Sequence, residues 1–112
     1  WATINLPGTQ DLRVISVHMK SGSTTADEAT RAKEAAILTN EIRKAGWPVS
    51  DYLVIAGDFN TPNRSDDCLK TLSNVVTDVN QPADQAGDKD TNLTRAYPYD
   101  YVLPNPLFNS CQ

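Results

Sequence analysis

Four polar residues lie within or directly after apolar segments, where their side chains could do chemistry: His18, Asp58, Asn60 and Asp100. His18 ends the apolar segment LRVISVH, and Asp58 and Asn60 follow the apolar segment LVIAG within LVIAGDFNTP. Because they are two residues apart, Asp58 and Asn60 can project to the same side of an extended strand end. There a carboxylate and an amide could hold a metal ion and a phosphate. Asp100 lies in YDYVL between two tyrosines, and a carboxylate in a strand needs a partner if it is buried.

Each of these residues also has an ordinary structural interpretation. A single histidine that ends an apolar strand is commonly a hydrogen-bonded structural group. Gly, Asp, Asn and Pro are common turn residues, so GDFNTP can be a turn and nothing more. Arg31 lies four residues before Ala35, on the apolar side of a predicted helix. We expect its guanidinium to brace the fold through a paired carboxylate, because a buried charge requires such a partner.

Two other metal sites were considered in the sequence. DKDTNLTRAYPY begins like a calcium loop, with Asp88, Asp90 and Asn92 at its first, third and fifth positions. It then has Leu93 and Tyr99 where an EF-hand needs Gly and Glu, which excludes that motif and leaves open a weak calcium contact. One histidine and two distant cysteines form no zinc-binding pattern. We find no P-loop, dinucleotide-binding loop or nucleophile elbow.

The composition is that of a globular chain, with 112 residues, 39% hydrophobic residues and a net charge of −4. This length corresponds to one domain or part of one. The acidic balance argues against a sequence-reading DNA-binding protein, but not against an enzyme whose bound cation supplies positive charge locally. Some basic side chains could still line a groove, namely Lys20, Lys33, Arg64 and Lys70.

The ends and the cysteines leave several questions open. We expect no membrane span, because no apolar segment is long enough, and we recognise no signal peptide. The chain begins with Trp1 and ends after an apolar stretch, which we interpret as cuts from a longer protein. Cys68 and Cys111 could pair in an oxidising compartment or remain free.

The pattern along the chain predicts alternating strands and helices. A helix over residues 26–45 is predicted to begin with a capping box from Thr25 to Glu28 and to end at Gly46. Strands are predicted at residues 2–6, 12–18, 52–57, 75–79 and 99–103, a short helix at 66–72 and a polar loop at 81–92. The first two strands should form a hairpin, and the strand at 52–57 should be central because it is apolar on both faces. This order predicts an α/β or α+β fold with a mostly buried sheet.

Four segments in this order resemble the endonuclease/exonuclease/phosphatase superfamily, particularly its deoxyribonuclease-I-like and bacterial extracellular members. They are SVHMKSG after a strand, R..EA..L...I on a helix, LVIAGDFNTP, and YDYVL. The resemblance covers about residues 11–103. It implies part of a two-sheet sandwich with flanking helices and cleavage of phosphate esters that depends on Mg²⁺, with Mn²⁺ as a possible substitute. It slightly favours a secreted or extracytoplasmic location.

The resemblance also implies a role for each candidate residue. His18 would contact the scissile phosphate or protonate the leaving oxygen. Asp58 would lie near the metal as a ligand and near the attacking water, and Asn60 would donate a hydrogen bond to the phosphate. Asp100 would orient a catalytic histidine and fix its tautomer. Hard oxygen ligands and a charge clamp on the phosphate are what Mg²⁺-dependent phosphodiester cleavage requires.

Part of the superfamily pattern is not found in this chain. The metal-binding Asn and Glu of the amino-terminal half and the closing Ser-Asp-His have no match, and His18 is the only histidine. We therefore expect residues 1–112 to be the carboxy-terminal half of the domain without its last strand. Alone it should be inactive, bind Mg²⁺ weakly and self-associate through an exposed sheet face. The substrate would be nucleic acid or another phosphate ester. The alternative is a non-catalytic binding module that keeps the fold.

Overall fold

The computed structural model describes residues 1–111. One mixed sheet contains the strands β1 (Ala2–Asn5), β2 (Asp11–His18), β3 (Tyr52–Asp58) and β4 (Asp100–Pro104), in that spatial order. β1 and β2 form an antiparallel hairpin, β2 and β3 are parallel, and β3 and β4 are antiparallel. The helices are α1 (Thr25–Ala45), α2 (Asp67–Leu72) and α3 (Pro106–Asn109). The predicted α+β class, the hairpin and the central position of β3 are confirmed.

The capping box of helix α1 begins at Thr24, one residue earlier than the Thr25 predicted from the sequence. Thr24 is the extended N-cap residue, and its hydroxyl oxygen accepts the backbone N–H of Asp27. The Asp27 carboxylate in turn accepts the Thr24 backbone N–H at 3.1 Å. The box predicted from Thr25 to Glu28 was therefore wrong by one position, because Asp also serves as the second member of a box. Gly46 ends the helix at a φ of 64°, as predicted.

The core lies between one face of the sheet and the helices. The buried side chains on that face alternate along the strands, since successive residues of a strand point to opposite faces. They pack against α1 and α2, and the main members are Ile15, Leu53, Ile55, Tyr101, Leu103, Ala35, Leu69 and Leu72. On the opposite face Val54 and Ala56 are half-buried and Val102 is 50% exposed. The strand β3 is therefore central in the sheet, but one of its two apolar faces is uncovered by the described residues. We call this surface the open face.

Two elements near the carboxyl end differ from the prediction. Residues 75–79 form irregular backbone between two turns instead of a strand: Val76 is buried in the core, and Thr77 donates its backbone N–H to the Pro104 carbonyl at 2.8 Å. A valine pair has high strand propensity, but here the burial of Val76 in the core outweighs that preference. Helix α3 was not predicted; Asn105 caps it by accepting the Phe108 N–H at 3.0 Å.

The remaining predictions concern the cysteines, the loop and the membrane. Cys68 is buried and Cys111 exposed, and both are free thiols. Burial raises the pKa of the Cys68 thiol, which keeps it protonated and unreactive. The polar loop at 81–92 contains no helix or strand, in agreement with the sequence. Among residues 1–111, no helix is both long and apolar enough to cross a membrane.

Candidate functional site

Strand pairing brings three of the four candidate residues into one row. In the parallel ladder His18 is the register partner of Asp58, and in the antiparallel ladder Asp58 is the partner of Asp100. Register partners on adjacent strands project from the same face of a sheet. Nε2 of His18 lies 3.8 Å from Oδ2 of Asp58, and the side chains are 76% and 38% exposed. The row lies at one end of the open face and is accessible from solvent.

Asn60 lies close to this row but binds backbone. Its backbone N–H donates to Oδ1 of Asp58 at 2.8 Å, and its Nδ2 donates to the Met19 carbonyl at 2.9 Å. Its φ is +52°, a left-handed conformation that Asn adopts more readily than most residues. Asn60 therefore ties the end of β3 to the residue that follows His18. Its expected hydrogen bond to a phosphate stays a prediction.

Gly57 allows the strands beneath the row to approach closely. Its φ is +141°, and a Cβ atom added there would lie 2.1 Å from the Val17 carbonyl oxygen. Just beyond it, the Met19 N–H donates to the Asp58 carbonyl at 2.9 Å. From the sequence this glycine was interpreted only as a turn residue, although a glycine inside a strand is itself a signal of close backbone approach.

Buried contacts hold the loop after Asp58 in place. Phe59 is fully buried, and its ring packs edge-on against Tyr101 with centroids 5.3 Å apart. The Thr61 hydroxyl donates to the Pro98 carbonyl at 2.8 Å and lies 3.1 Å from the Tyr101 hydroxyl. Burial raises the pKa of Tyr101, so this phenol stays neutral. Phe59, Thr61 and Tyr101 were not recognised as supporting residues in the sequence, because their contacts span about forty positions.

Asp100 lies at the edge of a cleft of about 320 Å³ that Gln81, Lys89 and Thr91 also line. Its backbone N–H donates to the Thr91 hydroxyl at 2.8 Å, and its side chain is exposed. The only histidine in the chain is His18. The histidine that Asp100 is expected to orient therefore has no counterpart in this chain, and the role of Asp100 stays a prediction.

A magnesium site would need more ligands than these strands supply. Within residues 1–111, no group of three or more His, Cys, Asp or Glu side chains could hold a metal ion. Asp58 is a suitable hard oxygen ligand, but one carboxylate does not complete a Mg²⁺ site. The described residues therefore fit part of such a site.

The loop that resembles the start of a calcium site contains a protein cation instead. Arg95 bonds to Asp84 at 3.0 Å and to Asp88 at 2.9 Å through its guanidinium. The pKa of Asp88 is lowered by the backbone N–H of Asp90 and, to a smaller extent, by Arg95. The Asp88 carboxylate thus already has its positive partner, which leaves no support for the weak calcium contact.

Three of the four basic residues that could line a groove make contacts within the fold. Lys20 lies 3.0 Å from an Asp27 oxygen, and Lys70 lies 2.6 Å from an Asp67 oxygen. The Arg64 guanidinium donates to the Lys89 carbonyl at 2.6 Å and lies over the Tyr101 ring. Lys20 and Lys70 thus have carboxylate partners at exposed positions, whereas Arg64 bonds to a backbone carbonyl and has no carboxylate partner among the described residues.

Comparison with solved structures identifies the fold. The chain is similar to beta toxin from Staphylococcus aureus, with a TM-score of 0.72 and 22% identity over 93% of this chain and 41% of that chain. It is also similar to sphingomyelinase C from Streptomyces griseocarneus, with a TM-score of 0.68 and 20% identity over 93% and 40% of the two chains. The fold is deoxyribonuclease-I-like. The predicted fold class is thereby confirmed, and the predicted resemblance is confirmed as a likeness of fold.

The deoxyribonuclease-I-like structures are considerably longer than this chain. A double variant of beta toxin with bound magnesium ions matches with a TM-score of 0.69 and 22% identity, over 93% of this chain and 40% of its own. The present chain therefore spans about two fifths of the length of the structures it matches. No protein-family model matches the sequence, and no curated protein matches it.

Proposed function

We propose that this chain is the carboxy-terminal part of a magnesium-dependent phosphodiesterase. The observation that supports this function is the row of His18, Asp58 and Asp100 on one exposed face of the sheet. An imidazole and a carboxylate 3.8 Å apart can act on the same phosphate, one as a proton donor and one as a proton acceptor or metal ligand. The deoxyribonuclease-I-like fold and the magnesium ions in a beta toxin structure agree with this proposal.

Hydrolysis would proceed by addition of water to phosphorus and departure of the ester oxygen. Protonated His18 would bind the scissile phosphate or give its Nε2 proton to the departing oxygen. Asp58 would be positioned beside the attacking water and would contribute one ligand to the magnesium site. Asn60 has a second amide N–H besides the one bonded to Met19, and this N–H would donate to the phosphate. A bound magnesium ion would stabilise the negative charge that develops on the phosphate oxygens.

Segments that are not in this chain would complete the site. The remaining magnesium ligands and the histidine that Asp100 orients would come from those segments, and this histidine would accept the proton that the attacking water loses. This proposal agrees with the share of about two fifths that the chain covers in the similar structures. It also agrees with the lack of a metal-binding cluster within residues 1–111. Residues 1–112 alone would then be inactive.

We further propose that the substrate is a phosphodiester with a zwitterionic headgroup. One similar structure is named sphingomyelinase C, and the net charge of −4 does not favour a polyanion such as DNA. The ion pairs that Lys20 and Lys70 form with Asp27 and Asp67 support the same choice. Nucleic acid remains the other substrate class to test. A secreted location is proposed with it, and fractionation of the producing cells would test this.

The decisive experiment uses the full-length protein with Mg²⁺ and three substrates: a chromogenic phosphodiester, sphingomyelin vesicles and plasmid DNA. We expect His18→Ala and Asp58→Asn each to lower turnover on the order of 100-fold, because each removes one contact to the transition state. Asp78→Asn, an exposed aspartate, is the matched control and should keep full activity. Thermal melting followed by circular dichroism checks that all variants fold. Near-parental activity in both site variants would contradict the proposal.

A non-catalytic binding module that keeps the fold is the second candidate. Such a module would bind a phosphate ester without hydrolysing it. If the full-length protein cleaves none of the three substrates, and if titration calorimetry shows phosphodiester binding that His18→Ala weakens, the binding module is the better assignment.

A further inference from the structure

Arg31 has a charged side chain that is completely buried. It lies in the second turn of α1 with 0% of its surface exposed. Its Nε and Nη2 donate to one carboxylate oxygen of Asp66 at 3.0 and 2.6 Å, and Asp66 is 1% exposed. Burying an ion pair costs the desolvation of both charges. A buried ion pair therefore often stabilises a protein less than apolar side chains of the same volume would. The pair therefore needs an explanation beyond packing.

The other hydrogen bonds of Arg31 point to such an explanation. Its Nη1 donates to the backbone carbonyls of Lys20 and Gly22 at 3.1 and 2.8 Å. These carbonyls lie two and four residues after His18. We call residues 19–22 the post-His18 strap. Arg31 therefore holds the path of the chain as it leaves the strand end with His18, together with Glu34, whose carboxylate accepts the Lys20 N–H at 3.0 Å.

The partner of Arg31 belongs to the segment that leaves the other strand end. Asp66 is the N-cap residue of α2, where its Oδ1 accepts the Cys68 N–H at 3.1 Å. It lies six residues after Asn60, at the end of the loop that follows Asp58. One guanidinium therefore joins the segments that follow both members of the His18–Asp58 pair.

The strap also has direct links to the site. The Met19 N–H donates to the Asp58 carbonyl, and the Met19 carbonyl accepts Nδ2 of Asn60, both at 2.9 Å. The His18 side chain is 76% exposed, and its ring makes no hydrogen bond or ion pair with the described residues other than the contact with Asp58 at 3.8 Å. Its position is therefore determined mainly by backbone, which is what the strap fixes.

We infer that Arg31 is a positioning residue: through Asp66 and the post-His18 strap it sets the placement of His18 relative to Asp58 and Asn60. This inference rests on the proposed phosphodiesterase function for its catalytic consequence. The structural consequence does not depend on the proposed function, since the placement of the His18 ring can be measured without any substrate.

The chain contains a matched control for a merely structural role. Arg13 donates Nε and Nη2 to one oxygen of Asp51 at 3.0 and 2.7 Å, the same pattern as Arg31 and Asp66. This pair is also largely buried, with side chains 15% and 6% exposed. It lies at the other end of β2 and β3, away from His18. Arg13→Lys and Arg31→Lys therefore disturb equivalent pairs at opposite ends of the same strands.

The experiment compares these two variants in the full-length protein. For Arg31→Lys we expect kcat to fall about tenfold or more with KM nearly unchanged, because small misplacements of reacting groups are costly. The NMR signals of the His18 ring, assigned by their loss in His18→Gln, should shift in Arg31→Lys. In Arg13→Lys the melting temperature should fall while kcat and the His18 signals stay as in the wild type.

Arg31→Lys, like Arg13→Lys, should melt at a lower temperature than the wild type. If kcat is nevertheless unchanged in Arg31→Lys, or if the His18 signals do not shift, the inference is overturned. If Arg31→Lys does not fold, kcat and the His18 signals are measured in Asp66→Asn instead. This variant keeps the side-chain oxygen that caps α2. If the wild type hydrolyses no phosphodiester, the proposed function fails separately, and the His18 signals alone decide whether Arg31 positions the ring.

Discussion

Single residues determine how closely the strands that form the site can approach each other. Gly57 lies beside Val17 at a distance that leaves no room for a side chain, and its φ of +141° is unfavourable for any other residue. This close approach places Asp58 opposite His18 in the parallel ladder. The glycine of GDFN is therefore a structural requirement of the pair, whereas the aspartate is a candidate for chemistry.

Gly57→Ala should lower the free energy of unfolding by about 3 kcal/mol or more, because the added Cβ would meet a backbone carbonyl oxygen 2.1 Å away. The control is Gly8→Ala, which also has a positive φ, of +125°, but no atom within 4 Å of the added Cβ. Backbone strain alone should cost it about 1 kcal/mol. Urea unfolding of both variants gives the comparison. Equal losses would mean that the close approach is unimportant.

Asp100→Asn tests the role expected for the third member of the row. If Asp100 orients a histidine in the full-length protein, the amide keeps the geometry but favours the wrong tautomer, and turnover should fall on the order of 100-fold or more. Mg²⁺ affinity, measured by titration calorimetry, should barely change. A large loss of Mg²⁺ affinity would instead make Asp100 a metal ligand and contradict the expected role.

At the scale of elements, the start of α1 is fixed by a small charged network. The Asp27 carboxylate accepts the Thr24 hydroxyl at 2.7 Å and pairs with Lys20 at 3.0 Å. These bonds, with that from Thr24 the most important, lower the pKa of Asp27 from 3.8 to about 2. Since Lys20 belongs to the post-His18 strap, the network also connects the helix to the segment that leaves the site.

The lowered pKa of Asp27 predicts an acid-dependent loss of stability. Its charged form is favoured in the folded state, so its contribution is present above about pH 4 and is lost as the pH falls toward about 2. The melting temperature measured between pH 2 and 6 should fall less steeply in Asp27→Asn than in the wild type. Glu28→Gln, in the box that was predicted one residue too late, is the control and should keep the wild-type slope.

Thr24→Ala should lower the free energy of unfolding by about 1 kcal/mol, because it removes the N-cap oxygen. Thr25→Ala should have a much smaller effect, since Thr25 is the first residue inside the helix. Denaturant unfolding of both variants checks this difference. A larger loss of unfolding free energy in Thr25→Ala than in Thr24→Ala would instead support the capping box predicted from Thr25 to Glu28.

At the scale of the whole molecule, the sheet is covered on one face only by the described residues. The open face includes Val54, Ala56 and Val102, the last of which is 50% exposed. Apolar surface of this kind is a common site of protein association. Because the strands also present His18, Asp58 and Asp100 on this face, whatever covers it lies next to the proposed site.

The isolated chain should therefore self-associate and lack activity. We expect sedimentation velocity to show a concentration-dependent dimer or larger species, and Val102→Lys to shift it toward the monomer. Ile37→Lys is the control, since Ile37 is 63% exposed on α1 and not on the sheet. No phosphodiester should be cleaved by the isolated chain with Mg²⁺ or Mn²⁺. A stable monomer that cleaves plasmid DNA would contradict both expectations.

Local sequence signals were sufficient for several features of this protein. Helix α1 follows from its apolar spacing, its basic last turn and Gly46, and the strand β3 follows from LVIAG. The same signals indicated that Arg31 requires a carboxylate. They succeeded because helix caps, strand propensity and apolar periodicity depend on residues close together in the chain.

Only the tertiary structure decided which distant residues meet. The partner of Arg31 is Asp66, the row joins His18, Asp58 and Asp100 across three strands, and Asn60 bonds to backbone. Val76 is a further example, since its β-branched side chain favoured a strand at residues 75–79, whereas its burial in the core gave irregular backbone. Contacts between residues about forty positions apart depend on strand register and on which apolar surfaces are buried together, and these are properties of the folded chain as a whole.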